Sequence, residues 1–256
     1  MQEKPIITMK WTVTPSDYLR GYEEALFYCL QAKVENGEIV LTRELDGVID
    51  PKDEQRLTQI KVTNFLKVVC LKNKKKAFSL NSTGFVVDYG RNKAYYLIAE
   101  SGSYVLSGTD IKIILTKKDQ QSDDEPIVKE LQELSDLYEL FNEYGSDEIS
   151  SKIYQSYKNA LDHDEKLLVY LYEIRDTLSN YFGNDETAKQ MLNISSRKWS
   201  KFGTLANDHS INQSRHYLEV TPNSREITEE ERNSAFSFAQ TMIESFLYYL
   251  KQYRNK

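Results

Sequence analysis

Asn207, Asp208, His209, Arg215 and His216 are the densest group of side chains able to do chemistry in this chain, and they hold two of its three histidines. Histidine changes charge near neutral pH, and an arginine fork holds a phosphate through parallel hydrogen bonds. Those residue types suit phosphate binding or RNA cleavage. For cleavage, Arg215 would stabilise phosphate charge, His216 would act as acid or base, and Asn207 or Asp208 would orient them. The stretch Gly203 to Glu226 shows no clear periodicity and reads as a long loop, a kind that tends to be functional or mobile. A structural role for Arg215 and His216 is the plainer alternative, because loop polar groups commonly satisfy orphaned helix ends.

A second group is basic. Thr187 to Leu192 reads as a short helix, Asn193-Ile194-Ser195 as a turn in which Ser195 caps the next helix, and Arg197 to Phe202 as the start of that helix. This resembles the helix-turn-helix of DNA-binding proteins, whose second helix enters the major groove. Ile194, Ser195 and Trp199 match its apolar, cap and apolar positions. Asn193 stands where that pattern usually has Gly. Lys189 departs from it, since the first helix normally needs a small residue there. Lys189, Arg197, Lys198 and Lys201 would be the nucleic-acid-binding residues, meeting phosphates. The alternative is an ordinary helix pair with Trp199 and Phe202 in a core.

Other candidates carry less. His163 lies between Asp162 and Asp164 at a helix start and reads as a solvated cap. Lys72, Lys74, Lys75 and Lys76 form a basic run without interleaved aromatics, which reads as a solvated turn. The 18 tyrosines, clustered at Tyr95-Tyr96 and Tyr248-Tyr249, could build a recognition surface, though core use explains most of them. No Gly-rich phosphate loop, GxSxG, HExxH or paired-carboxylate signature appears, and no metal or cofactor is expected.

The elements that must position these residues come in two kinds. Residues 1–118 alternate at period two: Ile6 to Val13, Ala25 to Val34, Glu38 to Leu45, Ala77 to Leu80, Gly84 to Tyr89, Lys93 to Ala99, Ser103 to Leu106 and Ile111 to Thr116 read as strands. Asn36-Gly37 is the strongest hairpin signal. Pro51 opens one long helix, expected to end near Asn73. Residues 126–256 alternate at period 3.6, with helices from Pro126 to near Gly145, from Asp147, from Asp164 to Gly183, and after a Thr228/Glu231 capping box. The polar run 119–125 reads as a linker. The expected fold is therefore α+β, with an N-terminal antiparallel sheet carrying one long helix and a C-terminal all-α bundle.

The 256 residues carry a net charge of −6, and that sum hides an asymmetry. Residues 1–118 hold 18 basic and 14 acidic side chains, and residues 119–256 hold 15 and 25. A polyanion visiting the front half is one reading, and two domains with compensating surfaces is the blander one. Cys29 and Cys70 lie in apolar surroundings without a CxxC, which reads as free thiols in a reducing cytoplasm. No leader-like start and no long apolar run appears, so neither secretion nor a membrane is expected.

Leu205-Ala206-Asn207-Asp208, then Gln213-Ser214-Arg215-His216, then a final long helix resembles the end of a group of uncharacterised bacterial two-domain proteins. Thr14-Pro15-Ser16-Asp17-Tyr18 is similar to a phrase near their start. The resemblance implies an architecture and no established activity. More loosely, the helical half resembles HEPN domains, bundles common in bacterial defence, many of them ribonucleases using Arg-x(4–6)-His. No Arg of this chain has a His at that spacing, and Arg215 and His216 are adjacent. The expectation is a non-enzymatic regulator or adaptor, in a defence or stress setting, that binds a protein partner or itself as a homodimer, with nucleic acid as a further partner. A divergent HEPN-like ribonuclease is the alternative, and a helix-turn-helix DNA-binding regulator the second.

Overall fold

The computed structural model describes residues 4–14, 18–35, 38–45, 50–74, 78–90, 93–99, 102–107, 125–216 and 224–254. The expected turn Asn36-Gly37, the strand Ile111 to Thr116, Lys75 and Lys76, residues 119–124 of the linker, and Pro15 to Asp17 lie outside them. The chain divides into two compact units, Met1–Val69 with Phe78–Tyr138, and Cys70–Ala77 with Glu139–Lys256. The fold class is α+β, an N-terminal antiparallel sheet and a C-terminal helical region.

In the first unit, β1 (Ile6–Thr14) is a central strand because its odd positions are all apolar. Ile7, Met9, Trp11 and Val13 are buried, while the even positions Thr8, Lys10 and Thr12 are not, the alternation of a sheet with one covered face. β2 (Lys33–Glu35), β3 (Glu38–Glu44), β4 (Ser79–Asp88), β5 (Lys93–Ala99) and β6 (Gly102–Ser107) complete it in the order β2-β3-β1-β4-β5-β6. The expected strands Ala77 to Leu80 and Gly84 to Tyr89 are one strand, β4. The register slips between Lys10 and Trp11 of β1, and Gly84 at φ +145° absorbs the extra residue.

The expected strand Ala25 to Val34 is mostly helix. Glu23–Leu30 forms α1, burying Ala25, Leu26 and Leu30 and ending on Gln31 in the left-handed region. Its apolar run was long enough for a strand, but the buried positions follow a helical face. α2 (Pro51–Asn73) runs where expected. It is tied to the sheet by Arg43 of β3 donating to Thr58 Oγ1 (2.6 Å) and by Gln55 to Ser82 of β4 (3.3 Å). Arg43 also pairs with the buried Glu54.

The second unit takes the last turn of α2 and the end of α3 (Glu125–Tyr144), then α4 (Glu148–Asp162), a short 3-10 turn and α5 (Leu167–Phe182). α6 (Asp185–Met191), α7 (Ser196–Ala206) and α8 (Glu229–Arg254) follow. Asp147 caps α4 by accepting from Ile149 N (3.0 Å) and Ser150 N (3.2 Å). Gly183 ends α5 at φ +91°. α8 buries Ala235, Phe236, Phe238, Ala239, Met242, Ile243, Phe246, Leu247 and Leu250, the stripe its sequence displays. Fully burying each large apolar side chain contributes about 1.5–3 kcal/mol, so α8 is the axis on which the unit's core depends. Tyr157, fully buried, donates to Leu71 O (3.1 Å). No helix among the described residues is long and apolar enough to cross a membrane.

Candidate functional site

α6 and α7 form the helix pair expected around Asn193. Asn184 caps α6 by accepting from Thr187 N (2.8 Å), and Ser195 caps α7 by accepting from Lys198 N (3.4 Å). Asn193 has φ +53°. A left-handed residue is needed for this tight turn, and Asn tolerates it better than other non-glycine residues. Ala188, Leu192 and Ile194 are buried between the helices' inner faces, as are Trp199 and Phe202.

The four basic candidates separate. Lys189 is mostly covered: it pairs with Glu186 (2.6 Å) and donates to Ser196 Oγ (3.1 Å), lashing α6 to the start of α7. Arg197, Lys198 and Lys201 are exposed and pair with no acid among the described residues. Ser196, Arg197, Ser200, Lys201 and Thr204 are the exposed positions along one side of α7, at spacings that share a helical face. α7 contains no acidic residue, within a half of the chain that is acidic overall. Its positive N-terminal dipole adds to the same field. Lys198 and Lys201 also edge a groove of about 280 Å³ whose floor includes Phe202, Leu205 and Phe238.

An arginine that the sequence did not single out holds α7 in place. The Arg175 guanidinium of α5 lies 5.0 Å from the ring centroids of both Tyr172 and Trp199. Its Nη2 donates to Asp185 of α6 (2.5 Å), which also accepts from Ser179 Oγ (2.5 Å). Burial works to raise the Asp185 carboxyl. Hydrogen bonds from Ser179, Trp199 and Arg175 outweigh it and bring the carboxyl down to about 2. Gly203 makes this approach practicable, because a Cβ there would collide with Arg175 Nη1. The signal available in the sequence was a glycine at a helical position without turn residues beside it. Gly203 was expected to open the loop, and it lies instead in the last turns of α7.

The rest of the expected loop is pinned. Gln213 and Ser214 are buried. Gln213 accepts from Ile227 N (3.0 Å), hydrogen-bonds Glu226, and lends its carbonyl to Leu168 N (3.2 Å). Ile211 and Arg225 form a short parallel bridge. Residues 217–223 lie outside the described residues.

At the C-terminal end of α7 the structure gathers most of the candidate catalytic group. Arg215 donates its backbone N–H to Ala206 O (2.9 Å) and its Nη1 to Asn207 Oδ1 (3.3 Å). Its guanidinium lies 4.1 Å from the Tyr172 ring centroid and 3.8 Å from Asp176. His209 and His216 stack with centroids 3.8 Å apart and planes at 17°. Asp208 is turned elsewhere, accepting from Ser210 N (2.9 Å) and Oγ (2.7 Å), and those bonds lower its carboxyl. Burial pushes the Asp176 carboxyl up, against the pull of Arg215 and Arg175. His163 caps the end of α4 beside Glu165 (3.8 Å). No cluster of three or more metal-ligating side chains occurs among the described residues.

Comparison with known proteins returns nothing. No family model, no curated protein and no solved structure matches the chain.

Proposed function

We propose that this chain is a non-enzymatic regulator or adaptor whose helical unit binds nucleic acid through α7. The observation that carries this reading is the exposed face of α7, where Arg197, Lys198 and Lys201 stand among hydroxyl side chains with no acid on the helix. Lysine and arginine supply the sequence-independent part of such binding, and hydroxyls add phosphate contacts. The tight turn at Asn193 and the Arg175 clamp hold that face rigid, so it needs little ordering on contact. Binding is favoured over cleavage by the histidine geometry. An acid and a base that act in line must flank a phosphate, whereas His209 and His216 lie against each other. A protein partner would meet the end of α8, where Tyr248 and Tyr253 are 45% and 51% exposed. The defence or stress setting is supported by the HEPN resemblance alone.

The test is fluorescence anisotropy with double-stranded DNA and single-stranded RNA across a salt series. Binding should weaken with salt at a log–log slope of about −3, near −0.9 per phosphate neutralised on duplex. Replacing Arg197, Lys198 and Lys201 by Gln should flatten that slope toward zero. An unchanged slope in the triple variant, or no binding at low salt, sinks the proposal.

A further inference from the structure

We propose that Arg215, His209 and His216 form a phosphate-binding site at the C-terminal end of α7, and that it takes a phosphomonoester. The identity of that phosphate as a nucleic-acid end rests on the proposed nucleic-acid binding by α7, while its chemistry does not.

The site is built rather than incidental. Buried Gln213 and Ser214 fix the turn that leads into Arg215. His216 N donates to Ser214 Oγ (3.2 Å), and Arg215 N to Ala206 O (2.9 Å), so the backbone is held on both sides of the guanidinium. The Tyr172 ring supports the guanidinium and the neutral Asn207 takes one of its five donors. The fork is thus oriented largely by uncharged groups.

The histidine stack selects the ligand's charge. Protonating both rings of a stacked pair sets two positive charges face to face, which a doubly charged phosphate compensates and a singly charged phosphodiester compensates only half. A phosphomonoester with Arg215 and two imidazolium rings is close to balanced.

Asp176 gives the site a signature. The charged groups facing it are Arg175 on its own helix, Asp185 from α6 and Arg215 from the turn. Arg215 is the first-named of the two that pull its carboxyl down against burial. A phosphate on Arg215 weakens that pull, so binding draws a proton onto Asp176 as well as onto the histidines.

The experiment is calorimetric titration of the full chain with inorganic phosphate at about pH 6.5, in two buffers of different protonation enthalpy. Binding with a buffer-dependent heat that reports net proton uptake is expected. Arg215→Gln should weaken it at least tenfold, as should His209→Gln with His216→Gln. Asp176→Asn should bind at least as tightly and take up fewer protons. Arg215→Lys keeps the charge and should lose several-fold, which covers a Gln variant that fails to fold. No heat at about 10 mM phosphate, or wild-type binding in the Arg215 and histidine variants, overturns the site.

Two oligonucleotides of one sequence, with a 5′ phosphate or a 5′ hydroxyl, identify the source. A tenfold preference for the phosphorylated strand, lost in Arg215→Gln, assigns the site to a strand end. Equal binding of the two strands with phosphate heat intact assigns it to a free phosphomonoester. Absence of any oligonucleotide binding with phosphate heat intact overturns the nucleic-acid reading and leaves the site standing.

Discussion

Gly203 carries more of this structure than its size implies. Its missing side chain lets Arg175 reach between Tyr172 and Trp199 and hold Asp185. Gly203→Ala should expel the guanidinium and cost about 1–3 kcal/mol, the usual penalty for overpacking. Thermal melting would read this as a lowered Tm, and an unchanged Tm would mean that the clamp contributes nothing. Asn193 makes a smaller, conformational contribution at φ +53°. Asn193→Ala should destabilise by about 1 kcal/mol, and Asn193→Gly should be neutral or better, since only the alanine methyl opposes the left-handed backbone.

At the level of elements, the start of α8 concentrates several interactions. Thr228 and Glu231 exchange hydrogen bonds, Glu231 Oε2 accepting from Thr228 N (2.9 Å) and Thr228 Oγ1 accepting from Glu231 N (3.2 Å). Arg225 grips the same carboxylate with two donors (2.7 and 2.8 Å). Thr228→Ala should cost about 1 kcal/mol, the ordinary worth of an N-cap. Arg225 also bridges to Ile211 and donates its N–H to Ser210 O (2.7 Å). The cap of α8 and the turn that carries Arg215 are therefore one hydrogen-bonded piece. Denaturant melts of Thr228→Ala should shift the midpoint without changing the slope. A changed slope would show that the turn unravels with the cap.

For the whole molecule, pH should separate the units. Hydrogen bonds from Arg225 lead in bringing the Glu231 carboxyl to about 2, and Asp185 is also held near 2. Both belong to the second unit. In the unfolded chain such groups titrate near 4. Their stabilisation is complete above about pH 4 and is lost as pH falls toward 2, because the unfolded state takes up protons first. Each unit holds one buried tryptophan, Trp11 in the first and Trp199 in the second. Trp11→Phe leaves an indole that reports the helical unit and Trp199→Phe one that reports the sheet unit. Melts between pH 4 and pH 2 should drop further when read through Trp199. An equal drop at both probes would show that other carboxylates dominate acid unfolding.

Much of this was legible in the residues themselves. Period-two alternation in β1, the Pro51 helix start, the capping box at Thr228 and the stripe of α8 are local patterns, and local sterics and hydrogen bonding determine them. The helix pair around Asn193 was equally legible, since caps and a left-handed turn depend on neighbours in sequence. Ala25 to Leu30 was not, because a short apolar run fits either a strand or a helix until packing chooses. The fate of Gly203 to Glu226 was decided in three dimensions. Gln213 finds its partners at Leu168 and at Glu226-Ile227, and Arg215 finds Tyr172 and Asp176 on α5. Lys189 looked like a free cation and became a tether for the same reason, its partner Ser196 lying across a turn. Which polar side chains a protein leaves for a ligand is settled only after folding has satisfied the others. That is why the exposed cations of α7 and the cluster at its end could be distinguished only in the tertiary structure.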